Sequence, residues 1–264
     1  MPLHINILAL GMLLLILLAP PPGRTDNIAE HERAVWQAWR VHQAQPHQHE
    51  AVVLACQPID QTNPLRGVTW GLAAWHLLQL NKTNEAAAIL EKMERVGQET
   101  PLLAATSEMA RRWLTRMDIE KVRQALQIIY RQEVAYPQNL TVLSRLPQAP
   151  PAYDRWGRPW QYELSTYKKI PGLSGQRYHL HSRNLDDEAR LAEALARPYG
   201  ARITLKPVAA ADQSSAPVQF ITSANPTPIW LSEGAAYDHL SFAYSGLKLV
   251  ILTDGDHWLF APKP

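Results

Sequence analysis

Few residues in this chain stand at spacings that chemistry would need. His179 and His181 flank Leu180, so on a strand their imidazoles share one face, as in some zinc sites. No third ligand stands at a useful spacing, and the pair reads as two solvent-facing histidines. His42, His47 and His49 form a tract with glutamines that could hold a metal weakly and otherwise reads as a solvated loop. Asp254, Asp256 and His257 group acids and a base around Gly255, yet Asp-Gly is a hairpin-turn signal that needs no catalytic explanation. Trp156 and Trp160 offer ring faces to a sugar or peptide, with packing against a helix as the default. There is no Gly-x-Ser-x-Gly, no P-loop and no dinucleotide glycine pattern. The single cysteine, Cys56, excludes an internal disulfide and paired-cysteine metal or redox motifs. Its flank of Val52, Val53, Leu54 and Ala55 marks a buried apolar filler.

The elements that must position these residues begin with the totals. The 264 residues give room for two modest domains. With 46% hydrophobic and 19% charged residues the chain should fold. A formal net charge of +2, with no basic run interleaved with aromatics, gives no case for nucleic acid. Residues 5–19 are almost uninterrupted aliphatics, ended by Pro20-Pro21-Pro22-Gly23. That length lies between a signal's apolar region and a minimal spanning helix of roughly 17 residues. Leu17 and Pro20 suit a signal-peptidase site poorly, so residues 1–25 read as an uncleaved inner-membrane anchor with the bulk periplasmic. The alternative is a cleaved signal and a periplasmic or secreted product.

Residues 26–117 read as a helical-hairpin region. Asn27 to Glu30 has capping-box spacing, followed by a stripe of Val35, Trp36 and Trp39. A polar loop over 43–50 precedes a short helix over 51–56. Val68, Leu72 and Trp75 then recur at helical spacing, and Ile89, Met93 and Val96 continue after a turn, with Gly97 placed as a C-terminal cap. Ala86, Ala87 and Ala88 would let the two helices approach closely. The pair resembles one tetratricopeptide-type unit, but an array needs at least ~3 of them. Residues 106–134 are helical with an apolar face that moves from Met109, Trp113 and Met117 to Val122, Leu126 and Ile129. Such a helix should bury its two ends against different bodies, unless Asp118 caps a second helix. Tyr136-Pro137 ends it. A turn at 154–159 with Gly157 at positive φ feeds a strand from Trp160 through Tyr162, and Tyr178, Leu180 and Ser182 alternate on a second strand. Residues 185–264 read as a C-terminal β-rich region, with strands over 202–208, 218–222, 229–231, 240–244, 247–252 and 257–260 in one small antiparallel sheet. The fold class is α+β: an anchor and helical-hairpin region, a long helix packed on an antiparallel hairpin, and that small sheet.

The ordered set Tyr136-Pro137, then Asp154, Trp156, Gly157, Pro159, Trp160 and Tyr162, then Tyr178, Leu180 and Ser182 resembles the major pseudopilins of type II secretion systems, over roughly residues 118–184. The resemblance implies a pseudopilin-like α+β domain whose structural turn is Asp154 to Tyr162. It also implies a calcium loop after the final strand, where Asp186 and Asp187 stand; these acids instead suit the start of a helix over 189–196. Ile16 stands where the family's prepilin-peptidase site has glutamate after Gly11-Met12, so polymerisation through the first helix is not expected. The residues and the resemblance together point to a non-enzymatic structural or accessory component of a type II secretion or type IV pilus-like envelope assembly. Its partners would be other envelope or secretion-system proteins, its membrane contact residues 5–19, and it would need no cofactor. A helical-repeat-like periplasmic adaptor unrelated to secretion is the alternative, and an envelope hydrolase using Asp254 or His257 the second.

Overall fold

The computed structural model describes residues 30–59, 62–170, 173–210, 216–222 and 227–264. The expected anchor at 5–19, Gly11, Ile16, the triple proline and residues 27–29 of the capping box lie outside them. Among the described residues no helix is long and apolar enough to cross a membrane. The chain is α+β with antiparallel sheets.

Helices α1 (Glu30–Ala44), α2 (His49–Cys56), α3 (Arg66–Gln79) and α4 (Thr83–Glu94) gather with the first half of α5 (Pro101–Glu133) into a helical body. The loop expected over 43–50 shrinks to the turn between α1 and α2. Helix α3 is the axis of this body. Val68, Leu72, Ala73, Trp75, Leu77 and Leu78 are buried around its whole circumference, as in a central rather than a surface helix. Gly71 permits that closeness, because a Cβ there would stand 2.5 Å from Trp258 Nε1 and 2.8 Å from Met109 Sδ. Helix α4 stops before Gly97, which has no left-handed backbone. Val96 N bonds Met93 O instead, so a tight final turn satisfies the end of the helix without glycine.

Thr100 caps α5, its side chain accepting from Leu103 N at 3.2 Å, with Pro101 in the first turn where its missing N–H costs nothing. The helix runs unbroken through Asp118, which caps nothing. Its buried carboxylate accepts from Arg155 Nε at 2.7 Å and Lys121 Nζ at 2.8 Å. The apolar face changes as its sequence requires: Met109, Trp113 and Met117 join the helical body, while Val122, Leu126 and Ile129 join a second core. The helix ends at Glu133, with Val134 in the left-handed region at φ 56°.

That second core is roofed by the hairpin of β1 (Gln161–Ile170) and β2 (Leu173–His181), in which Tyr162 pairs with Leu180 and Leu164 with Tyr178. Trp160, Tyr162, Tyr178 and Leu180 cover the second half of α5. After the short α6 (Leu191–Ala196), one small sheet was expected and two are present. Strands β3 (Leu205–Ala210), β4 (Val218–Thr222) and β5 (Ile229–Leu231) make the first, and β6 (Ala236–Tyr237), β7 (Leu240–Ser245), β8 (Leu249–Thr253) and β9 (Trp258–Pro262) the second. A turn in which Ala235 N bonds Ser232 O takes the chain from one to the other. The sheets meet through Leu205, Phe220, Phe242 and Leu252. The other face of the second sheet sends Ala243, Ile251, Trp258 and Phe260 into the core of the helical body. Strand β8 is therefore buried on both faces, which is why it reads as an unbroken apolar run. The C-terminal strands and the helices share one interior.

Candidate functional site

Asp154 is the centre of the turn before β1. Its Oδ1 accepts from Trp156 N at 3.0 Å and Arg158 N at 2.8 Å, and its Oδ2 from Ser182 Oγ at 2.7 Å and Asn184 Nδ2 at 2.9 Å. Two bonds to each oxygen saturate a carboxylate. Burial alone would raise the acid's pKa, yet these four donors hold it below the ordinary carboxylate range. Gly157 has φ 77°, as the turn requires, and Tyr153 bridges to Pro159 across it. Trp156 gives its Nε1 to Glu108 at 3.0 Å, Trp160 gives its own to Pro151 O at 2.7 Å, and Tyr162 donates to Pro137 O at 2.7 Å. These hydrogen bonds brace the rings against the turn and its neighbours. Arg155 ties the turn to α5 through Asp118 and to α4 through Glu94 at 3.3 Å.

Beside the turn runs a groove of about 520 Å³, walled by Val122, Leu143, Pro150, Tyr153, Trp160 and Tyr162. A 3₁₀ turn at Leu140–Arg145 forms its far side. Tyr153 is 58% exposed and is the aromatic that this groove presents to solvent. Its position just before a motif rich in tryptophan hid it in the sequence.

Asp186 and Asp187 do not open a helix, and no cation is needed to balance them. Helix α6 starts only at Leu191, and of the two acids Asp187 alone bonds a nearby backbone, accepting from Ala189 N at 3.2 Å. Guanidiniums draw them elsewhere. Asp186 pairs with Arg112 and with Arg202, and Asp187 with Arg197 and with Arg116 at 3.3 Å. Arg202 is thereby an ion-pair residue, and β3 begins after it. The network closes on Asp256, whose Oδ1 accepts from Arg116 Nη1 at 2.7 Å and Arg112 Nε at 2.8 Å. Burial pushes against its charge, but the Arg116 and Arg112 guanidiniums hold its carboxyl far below the usual range. Trp113 Nε1 adds a bond to Asp256 O at 2.9 Å, so α5 grips the whole β8–β9 turn. That turn has four residues, Asp254 to His257, and β9 starts at Trp258. Asp254 accepts from the backbone N of Asp256 and of His257 and stands 3.4 Å from His257 Nδ1. Asp254 and His257 are both buried; Asp254 serves the backbone of its own turn, while His257 also lines a small cavity of about 90 Å³ with Trp113, Arg197 and Asp256.

The His42–His49 tract is not a solvated loop. His42 lies on α1 and His49 on α2, and both reach His76 on α3, at 3.0 Å and 2.8 Å. His76 is fully buried and His42 nearly so, packed with Trp39, Trp75 and Tyr199. His47 alone remains on an exposed turn. Burial first, then the neighbouring imidazoles, lowers His42 to about 4 and His76 to about 3. The partner His76 was invisible in the sequence because it sits in an apolar helix. Cys56 is buried as expected, its thiol pushed up to about 12 by that burial.

His179 and His181 do share one side of β2. Glu188 folds back to them, with Oε2 at 2.8 Å from His179 Nε2, and one ligand atom from each of the three lies within 4.8 Å of the others. Spacing along the chain gave no sign of Glu188, since a whole loop intervenes. Comparison of the chain with known protein families, with curated proteins and with solved structures finds no match in any of the three.

Proposed function

We propose that this chain is a non-enzymatic structural or accessory component of a type II secretion or type IV pilus-like envelope assembly. The observation that supports this most is the meeting of the two halves of the turn motif. Asp154 stands before the hairpin and Ser182 after it, and a 2.7 Å hydrogen bond joins them. That contact gives a physical reason for the two residue types to occur together, with Gly157 shaping the turn between Asp154 and Pro159. In the finer architecture that goes with this reading, the second half of α5 and the β1–β2 hairpin form a pseudopilin-like unit, and residues 5–19 tether the described body to the inner membrane from its periplasmic side.

Against the hydrolase alternative, the Asp254 carboxylate is buried and accepts from two backbone N–H groups of its own turn. On the adaptor alternative, α3 has no free face to present to a ligand, which leaves only the exposed side of α4 in the expected hairpin. Deleting the chain from its host and measuring export of an extracellular enzyme tests the proposal. Secretion should fall and should return when the intact chain is supplied. Unchanged secretion would refute the reading.

A further inference from the structure

We propose that His179, His181 and Glu188 form a binding site for a single zinc-class divalent ion. Two imidazole nitrogens and one carboxylate oxygen are a donor set that zinc accepts, with a fourth position left for water or a partner's side chain. Hard cations such as calcium and magnesium take oxygen ligands and would decline the nitrogens. The proposal stands on the geometry of this loop and is independent of any role in secretion.

Tetrahedral zinc with bonds near 2.0–2.1 Å separates its ligand atoms by about 3.3 Å. His179 and Glu188 now touch at 2.8 Å, while the set spans up to 4.8 Å, so small rotations of two exposed side chains complete the site. His181 supplies a second, separate observation. Its Nδ1 is buried and has no hydrogen-bond partner within the protein, a state that a metal bond at that nitrogen would relieve. The arginines that line the same pocket as His181 and Glu188 are already paired. Arg116 is paired with Asp256, and Arg123 and Arg190 both with Glu120.

The fold delivers Glu188 to this place by bonds already described. Ser182 and Asn184 are fixed by Asp154, and Asp186 and Asp187 by arginines, so the chain after β2 must double back along that strand. A bound ion would clip this returning loop to β2 and hold the approach to α6.

Full-length protein stripped by a chelator and titrated with zinc chloride should bind one equivalent and melt at a higher temperature. Cobalt(II) in its place should give the visible absorption of a tetrahedral site. His181→Ala, His179→Ala and Glu188→Gln should each weaken binding at least ~10-fold, and His47→Ala should leave it unchanged. Calcium should produce no shift. His179 and Glu188 have exposed side chains, so their variants remain informative if His181→Ala fails to fold. Zinc binding that persists undiminished in His179→Ala and Glu188→Gln, or no zinc binding by the intact protein, would overturn the proposal.

Discussion

Two single residues occupy the same left-handed backbone region with very different side chains. Gly157 has φ 77°, and a Cβ there would meet nothing within 4 Å. Any penalty for a side chain is therefore conformational strain and not collision. Val134 has φ 56° with a β-branched side chain, exposed to solvent, at the end of α5. It holds that strained state because the helix must stop before Tyr136-Pro137 and the left-handed residue closes it by bonding Tyr130 O at 2.8 Å. Thermal or denaturant unfolding should find Gly157→Val destabilised by at least ~1–2 kcal/mol and Gly157→Asn much less affected. Val134→Gly should be stabilised by about 1 kcal/mol. A Gly157→Val protein that unfolds like the parent would show that the turn is not held as described.

At the scale of elements, α5 organises the molecule through charge as well as through its two apolar faces. Arg112 and Arg116 project from it toward Asp256, and all three side chains are buried. Removing Asp256 leaves each buried guanidinium with one less-buried aspartate, Asp186 or Asp187, as its remaining ion-pair partner, at a cost of about 3–5 kcal/mol. Asp256→Ala should lose that much in equilibrium unfolding, and a triple variant with Met at both arginine positions should recover much of it. A loss below ~1 kcal/mol for Asp256→Ala would show that the network does not fasten the β8–β9 turn to α5.

The elements themselves were largely legible, because α5, the hairpin and several C-terminal strands carry strong periodicity and firm stops such as Pro137 and Gly157. Sites made by distant residues were not legible. His76 was masked by its apolar helix, Glu188 by an intervening loop, and the acids at 186 and 187 by a local rule about helix starts that was overridden by arginines both 10–16 and more than 70 positions away. The second sheet was also hidden, since two successive meanders look alike along the chain until their faces meet.

Over the whole molecule, the interior shared by the helices and the C-terminal sheet holds neutral histidines. His42 and His76 titrate at about 4 and about 3 when folded, against the ordinary value of 6.5 in an unfolded chain. Between those limits the unfolded state binds more protons than the folded one, so stability rises with pH there and is flat above it. As pH falls below about 6.5, the two histidines together should remove stability at about 2–3 kcal/mol per pH unit, down to about pH 4. Losses from paired carboxylates such as Asp256 come only at lower pH, because its folded pKa is depressed. Urea midpoints measured from pH 7.5 to 4.5 should fall along that course, with a shallower slope in His76→Gln. Constant midpoints over this range would mean that the imidazoles are not held neutral by burial.

The larger claim is that this body meets other components of a secretion assembly in the envelope. Tyr153 stands exposed on the groove beside the Asp154 turn, and it can be replaced by a photo-crosslinking residue without touching that turn's hydrogen bonds. Irradiation of cells that are actively secreting should join the chain to a pseudopilin or to an inner-membrane protein of the same assembly, and the adduct should vanish when that protein is deleted. Adducts confined to proteins unconnected with secretion would contradict the account.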